Sequence, residues 1–266
     1  MGTRLLWAGL LSVLLTSCTT LNRGVVRFDR LSDCPKQTLE TLEAHQNELG
    51  PLSDTHTLEC TLQFLRGTHH LTLRRSSVGS RVCLHLAERN LGQNKREKLA
   101  SEGVRFAETA VALGGDGDGV VHYYLAVNLG LAVRDHITLA VENLARLENE
   151  LRRAVVLSPD VDGGGPLRVL GMLYLRAPPW PTGIGDGDKA LRFLKQTVEK
   201  HPSHPLNHLF YAQAIWELEE EDASDRVKTE LATGMKLLME GSWGYNKEPW
   251  KREFAVLQKQ IDEASQ

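Results

Sequence analysis

The 266 residues carry 31 Lys+Arg against 34 Asp+Glu, a formal charge of −3. Basic residues are scattered among acidic ones, which excludes an electrostatic footprint for nucleic acid. The length suits one sizeable domain or a repeat array with its own core.

The N-terminus reads as an export signal. Arg4 precedes the apolar run Leu5-Leu-Trp-Ala-Gly-Leu-Leu-Ser-Val-Leu-Leu15, too short for a bilayer span of roughly 20 residues but suited to a signal-peptide core. Leu15-Thr-Ser-Cys18 looks like the lipobox of bacterial lipoproteins, in which the cysteine is lipidated and becomes the mature N-terminus. Residues 1–17 then leave the mature chain, and the rest is a body tethered to the membrane by lipid. Thr19 is not the aspartate that retains many lipoproteins in the inner membrane, which points to the outer membrane. With Cys18 lipidated, Cys34, Cys60 and Cys83 remain, and an oxidising periplasm permits one disulfide and one thiol. Cys83 lies in an apolar helical pattern, where a buried free cysteine is the commoner outcome, but the sequence leaves the pairing open.

Residues 18–80 form a poorly defined N-terminal segment. A polar helix over 37–49 would end at Gly50-Pro51, and the run 61–66 fits either a strand or a helix start. From Arg81 the period is helical: Val82, Leu86 and Ala87, then Leu99, Val104, Ala107, Ala110 and Val111 after a turn at 91–94. Two such helices form an antiparallel hairpin. The unit returns as 120–133 with 137–157, as 166–177 with 189–200, and as 205–218 with 223–239.

Each first helix sets a small residue in an apolar face; Ala126, Gly171 and Ala212 fall 45 and 41 residues apart. Pro159 and Pro202, at the ends of second helices, are 43 apart. This loose internal repeat predicts an all-α fold, a tetratricopeptide-like array of helical hairpins or α-solenoid over 81–240. Residues 241–266 carry Trp250, Phe254, Leu257 and Ile261 at helical spacing behind Pro249 and read as a packing or capping helix.

The stretch 176–193, RAPPWPTGIGDGDKALRF, invites a chemical reading. As a phosphate cradle it fails: Gly183-Ile-Gly185-Asp-Gly187 lacks the third glycine of GxGxxG and follows a helix. Asp186 and Asp188 would also repel phosphate. As a calcium loop it fails too, because an EF-hand counted from Asp186 meets Ala190 at position 5 and Thr197 at position 12. The related stretches beginning at Asp116 and Asp160 are equally incomplete.

The structural reading accounts for every residue. Pro178 and Pro179 stop one helix, and Gly183 and Gly185 supply unusual backbone angles. Asp186 or Asp188 caps the next helix, while Trp180 is either a plug on the helix pair or an exposed contact. His201, His204 and His208 sit at a joint between units marked by Pro202 and Pro205, with no thiol close in sequence. No metal site, cofactor motif or enzymatic constellation emerges, and G-x-S-x-G is absent.

The lipobox, the irregular repeats and the run from Gly164 to Asp186 resemble the T-component lipoproteins of tetratricopeptide-associated TRAP transporters. His122-Tyr-Tyr-Leu-Ala-Val-Asn128 and His201-Pro-Ser-His-Pro205 are similar to that family as well. The resemblance covers roughly residues 80–260. It implies a periplasm-facing helical protein, a homotrimer in the family, that docks a periplasmic solute-binding protein, the P component. It further implies a channel through the helical body for a hydrophobic small molecule. By position Tyr124, Asn128, Tyr174 and Trp180 would line or guard that channel or meet the partner; for the tyrosines interhelix packing is the competing role. The alternative function is an envelope scaffold that mediates protein–protein interactions without a transported ligand.

Overall fold

Helices start where a short polar side chain can accept a backbone N–H that the first turn leaves open. Asp54, Thr72, Asp118 and Asp186 do this for α2 (Thr55–Arg66), α3 (Leu73–Glu88), α5 (Gly119–Val133) and α9 (Gly187–Lys200). The computed structural model describes residues 20–264 apart from 30–32, 37, 45–47, 91 and 219–222. Cys18 and the leader lie outside the described residues. The remaining helices are α1 (Leu39–Ala44), α4 (Gln93–Ala112), α6 (Ile137–Glu142), α7 (Leu144–Leu157), α8 (Gly165–Arg176), α10 (Pro205–Leu218), α11 (Ala223–Glu240) and α12 (Lys247–Ala264). The fold is all-α: among the described residues there is no strand, only an isolated bridge from Pro179 to Gly185. None of the described helices is long and apolar enough to cross a membrane.

Several elements differ from the sequence reading. Residues 61–66 are the end of α2, so the strand alternative falls away. In the polar stretch 37–49, α1 covers Leu39–Ala44, and residues 37 and 45–47 lie outside the described residues. The single helix expected over 137–157 is two, because Asn143 donates its side-chain amide to Leu139 O at 2.8 Å and competes with the backbone ladder. The early segment is also more structured than the sequence suggests. Cys34 and Cys60 form a disulfide that ties residue 34 to α2, while Cys83 is a buried thiol whose pKa burial pushes up.

Helices pack chiefly on their chain neighbours: α3 on α4, α5 on α4 and α7, α8 on α9, and α10 on α9 and α11. Short connections make packed neighbours run antiparallel. α5 and α10 bury residues on every face, whereas α9 and α11 bury single stripes, Ala190-Leu194-Thr197 and Val227-Leu231-Gly234-Leu238. That difference sets α5 and α10 inside and α9 and α11 outside.

One local arrangement occurs twice. His122 on α5 meets Glu150 through Nδ1 at 2.5 Å and Asp116 O through Nε2 at 2.8 Å. His208 on α10 meets Glu230 at 2.6 Å and Pro202 O at 2.7 Å through the same two nitrogens. In both cases the carbonyl lies six residues before the histidine and the glutamate lies on the following long helix.

Candidate functional site

The inner helices do not close on one another. Residues from α3, α5, α8 and α10, with the 49–51 loop and the start of α12, surround a cavity of 290 Å³. Its apolar wall includes Leu84, Val127, Val169, Leu206, Phe210 and Trp250. A more polar depression of 500 Å³ shares Glu88, Asn246 and Trp250 with the cavity and adds Arg96, Arg134 and Arg252.

The polar side of the cavity depends on a left-handed turn. Asp162, Gly163 and Gly164 have φ of 52°, 57° and 86°, and a Cβ on Gly163 would stand 2.8 Å from His204. Glycine is favoured at such a position both by angle and by close approach. The turn presents the Asp162 carboxylate to two partners: Tyr123 donates its hydroxyl to Oδ2 at 2.7 Å, and Arg168 Nη2 reaches the same oxygen at 2.5 Å. Arg168 Nη1 continues the network to Asn207 Oδ1 at 2.8 Å, and Asn207 donates to Gly163 O at 3.0 Å. Burial, followed by Asp162, pushes the Tyr123 hydroxyl well up. Burial lifts Tyr124 to about 12, opposed by Arg81, which stacks 5.3 Å from its ring centroid.

Behind this network lies His204, packed edge-on against Trp243 at 5.1 Å and tilted on Trp250 at 5.4 Å. Burial, then the Arg168 guanidinium, brings it down to about 3, so the ring is neutral at physiological pH. His85 also lines the cavity. Its Nδ1 is 3.3 Å from Glu88 Oε2, and its Nε2 is buried without a hydrogen-bond partner.

The C-terminal segment adds Asn246 and Trp250 to the cavity wall by returning to the first helices. Tyr245 donates its backbone N–H to Pro51 O at 3.0 Å and its hydroxyl to Arg89 O at 3.1 Å. Gly244, at φ 54°, is where the chain turns, and a Cβ there would stand 2.2 Å from Pro51 O. Phe254, Leu257 and Ile261 then bury one face of α12 against the α10–α11 end.

The four residues expected to line a channel do not converge. Tyr124 lines the cavity, but Asn128 is a packing residue that donates to Ser80 O, Ser80 Oγ and Tyr124 O at 3.0, 3.1 and 2.9 Å. Tyr174 sits in a different cluster, bonding Glu148 and Arg152 and tilting on Phe193. Trp180 is 85% exposed, so the plug reading gives way to the surface reading.

In the 176–193 loop Asp186 is the cap, accepting from Lys189 N at 3.0 Å, while Asp188 is an exposed first-turn residue. Gly183 and Gly185 do not have positive φ. They are required instead by close approach, since Cβ atoms there would lie 2.5 Å from Pro178 O and 2.1 Å from Ala177 O.

The other chemically suggestive stretches also find partners. Asp118 caps α5, Asp116 pairs with Arg153 at 2.7 Å, and the three histidines of 201–208 face Asp160, Asp162 and Glu230 in turn. Cys34, His56 and Cys60 bring ligand atoms within 4.8 Å of one another, but both sulfurs belong to the disulfide. Sequence reasoning missed Arg81, His85, Asp162 and Arg168 as cavity residues. The Tyr123-Tyr124 doublet and the left-handed turn after Asp160 were their only local signals. Neither a protein-family model nor a curated protein matches the chain.

Proposed function

We propose that this chain is a lipoprotein anchored through Cys18 to the outer membrane, facing the periplasm, whose helices form a tetratricopeptide-like α-solenoid. In this reading it docks a periplasmic solute-binding protein and holds a small, largely apolar ligand, as a non-enzymatic accessory in TRAP-type solute uptake. The observation that carries the reading is the open cavity lined by four inner helices and the returning α12. Its volume lies at the lower end of small-molecule sites, and an apolar wall with a few placed polar groups is the usual composition.

The repeated His122–Glu150 and His208–Glu230 arrangements support a repeat origin for the helix pairs. Trp180 and Ile137, 85% and 83% exposed, supply apolar contact surface for a partner or for assembly as a homotrimer. The same exposed residues also suit an envelope scaffold without a ligand. Capture of partners from a periplasmic extract on the immobilised mature chain tests the reading. Recovery of a solute-binding protein supports it, and recovery only of other envelope proteins favours the scaffold.

A further inference from the structure

We infer that Cys34, Cys60 and His56 form a redox-gated site for a thiophilic cation, Zn²⁺, which binds when the disulfide is reduced. The inference is independent of the cavity and of partner docking.

The three side chains come from two parts of the chain. His56 and Cys60 are four residues apart on α2 and so share one helix face, and the disulfide brings Cys34 to the same point. Their ligand atoms lie within 4.8 Å of one another. His56 Nε2 stands 3.5 Å from Cys60 Sγ. A tetrahedral Zn²⁺ with bonds of about 2.3 Å to sulfur and about 2.0 Å to nitrogen holds two such atoms about 3.5 Å apart. The imidazole is therefore already at the right separation from one sulfur.

In the oxidised chain the two sulfurs are bonded to each other and neither is a thiolate, the form that binds metal. A dithiol reductant opens the site. Its thiolate attacks Sγ of Cys34, which is half-buried where Cys60 is 3% exposed, and Cys60 leaves as a thiolate beside His56. The reductant's second thiol then displaces Cys34 from the mixed disulfide. The reductant ends as a disulfide, its two electrons and two protons end on Cys34 and Cys60, and Zn²⁺ displaces both protons to solvent.

Two thiolates and an imidazole select Zn²⁺ over Ca²⁺ or Mg²⁺, which take oxygen ligands. Three protein ligands leave the fourth position to water. The site lies at the surface: His56 is half-buried and lines a depression of 670 Å³ with Asp29, Asp33, Glu59, Arg27 and Lys95. Charges there are mixed, so the sulfurs rather than the surrounding field set the affinity. The bound ion takes over the tie between residue 34 and α2 that the disulfide makes. Cys83 is wholly buried and stands outside the group.

The test is titration with Co²⁺, a spectroscopic stand-in for Zn²⁺, of the mature chain carrying Cys18→Ser so that no N-terminal thiol interferes. A phosphine reduces the disulfide without supplying thiols and is itself oxidised to the phosphine oxide. The reduced chain should then bind one Co²⁺, with the visible bands of tetrahedral coordination and the ultraviolet band of thiolate ligation, and Zn²⁺ should displace it. The oxidised chain should show neither set of bands. His56→Ala should weaken Co²⁺ binding at least about tenfold, since losing even an outer partner of a ligand costs that much. Cys34→Ser should leave only one thiolate's share of the ultraviolet band. In the reduced protein with His56 intact, the His56 ring NMR signals should shift on adding Zn²⁺, a readout that holds even if a variant does not fold. Absence of Co²⁺ binding by the reduced chain, binding without the thiolate band, equal binding by the oxidised chain, or His56 signals that ignore Zn²⁺ overturns the site.

Discussion

At the scale of single residues, two histidines in similar surroundings respond to pH in opposite directions. His208 lies between Glu230 and Pro202 O; burial opposes its charge, but both hydrogen bonds favour it and the net effect raises its pKa. A raised folded pKa gives stability that is complete below the unfolded value of about 6.5 and is lost as pH rises through the folded value. The stability advantage of wild type over His208→Gln should therefore be largest near pH 6 and shrink toward pH 9, as read by urea titration.

His204, depressed to about 3, works the other way. Between pH 6.5 and 3 the unfolded chain binds a proton that the folded one refuses, so stability falls with falling pH by up to about 1.4 kcal/mol per pH unit. His204→Phe keeps the ring against Trp243 and Trp250 and should flatten that slope. An unchanged slope would mean that the ring titrates normally. Neither behaviour was legible in the sequence, where the two residues are four apart beside the same prolines. Their environments come from Arg168 and Glu230, 36 residues before one histidine and 22 after the other.

At the scale of elements the helical period was legible and its interruptions were only partly so. Apolar spacing located the inner helices because burial imposes a 3.6-residue repeat on any chain that packs this way. Prolines and glycines marked the ends for the same local reason. The break at Asn143 was hidden, since a single asparagine in a helical pattern signals a break only through what its side chain binds. The start of α9 was narrowed to two aspartates, and the structure selects Asp186. Asp186→Ala should cost about 1 kcal/mol, whereas Asp188→Ala, which loses only an exposed dipole interaction, should cost a few tenths. Thermal denaturation of both variants separates them, and equal losses would contradict the assignment of the cap.

At the scale of the molecule, the cavity depends on the meeting of residues 244–246 with Pro51 and Arg89. Tyr245 and Arg89 are 156 positions apart, and no periodicity in either segment announces their contact. That is why the sequence picked out Tyr124 but missed Arg81, His85, Asp162 and Arg168. Each is unremarkable locally and becomes part of a site only when α3, α5, α8 and α12 converge.

Gly244 is the joint on which this meeting turns. Gly244→Ala would put a Cβ 2.2 Å from Pro51 O in a left-handed conformation. It should destabilise the protein by about 2 kcal/mol or more and speed amide exchange along α12. Unchanged exchange would show that α12 is held independently of this contact.

Docking through the exposed loop is the central functional claim, and Trp180 is its large exposed apolar side chain. The direct measurement is capture of a solute-binding protein from periplasm by the mature chain, compared with Trp180→Ala at matched concentration. Because Trp180 is 85% exposed, its removal should leave the melting temperature unchanged. The account predicts that one solute-binding protein is recovered and that the variant recovers at least about tenfold less, as expected for an interface anchor. Recovery of no solute-binding protein, or equal recovery by both chains, would contradict it.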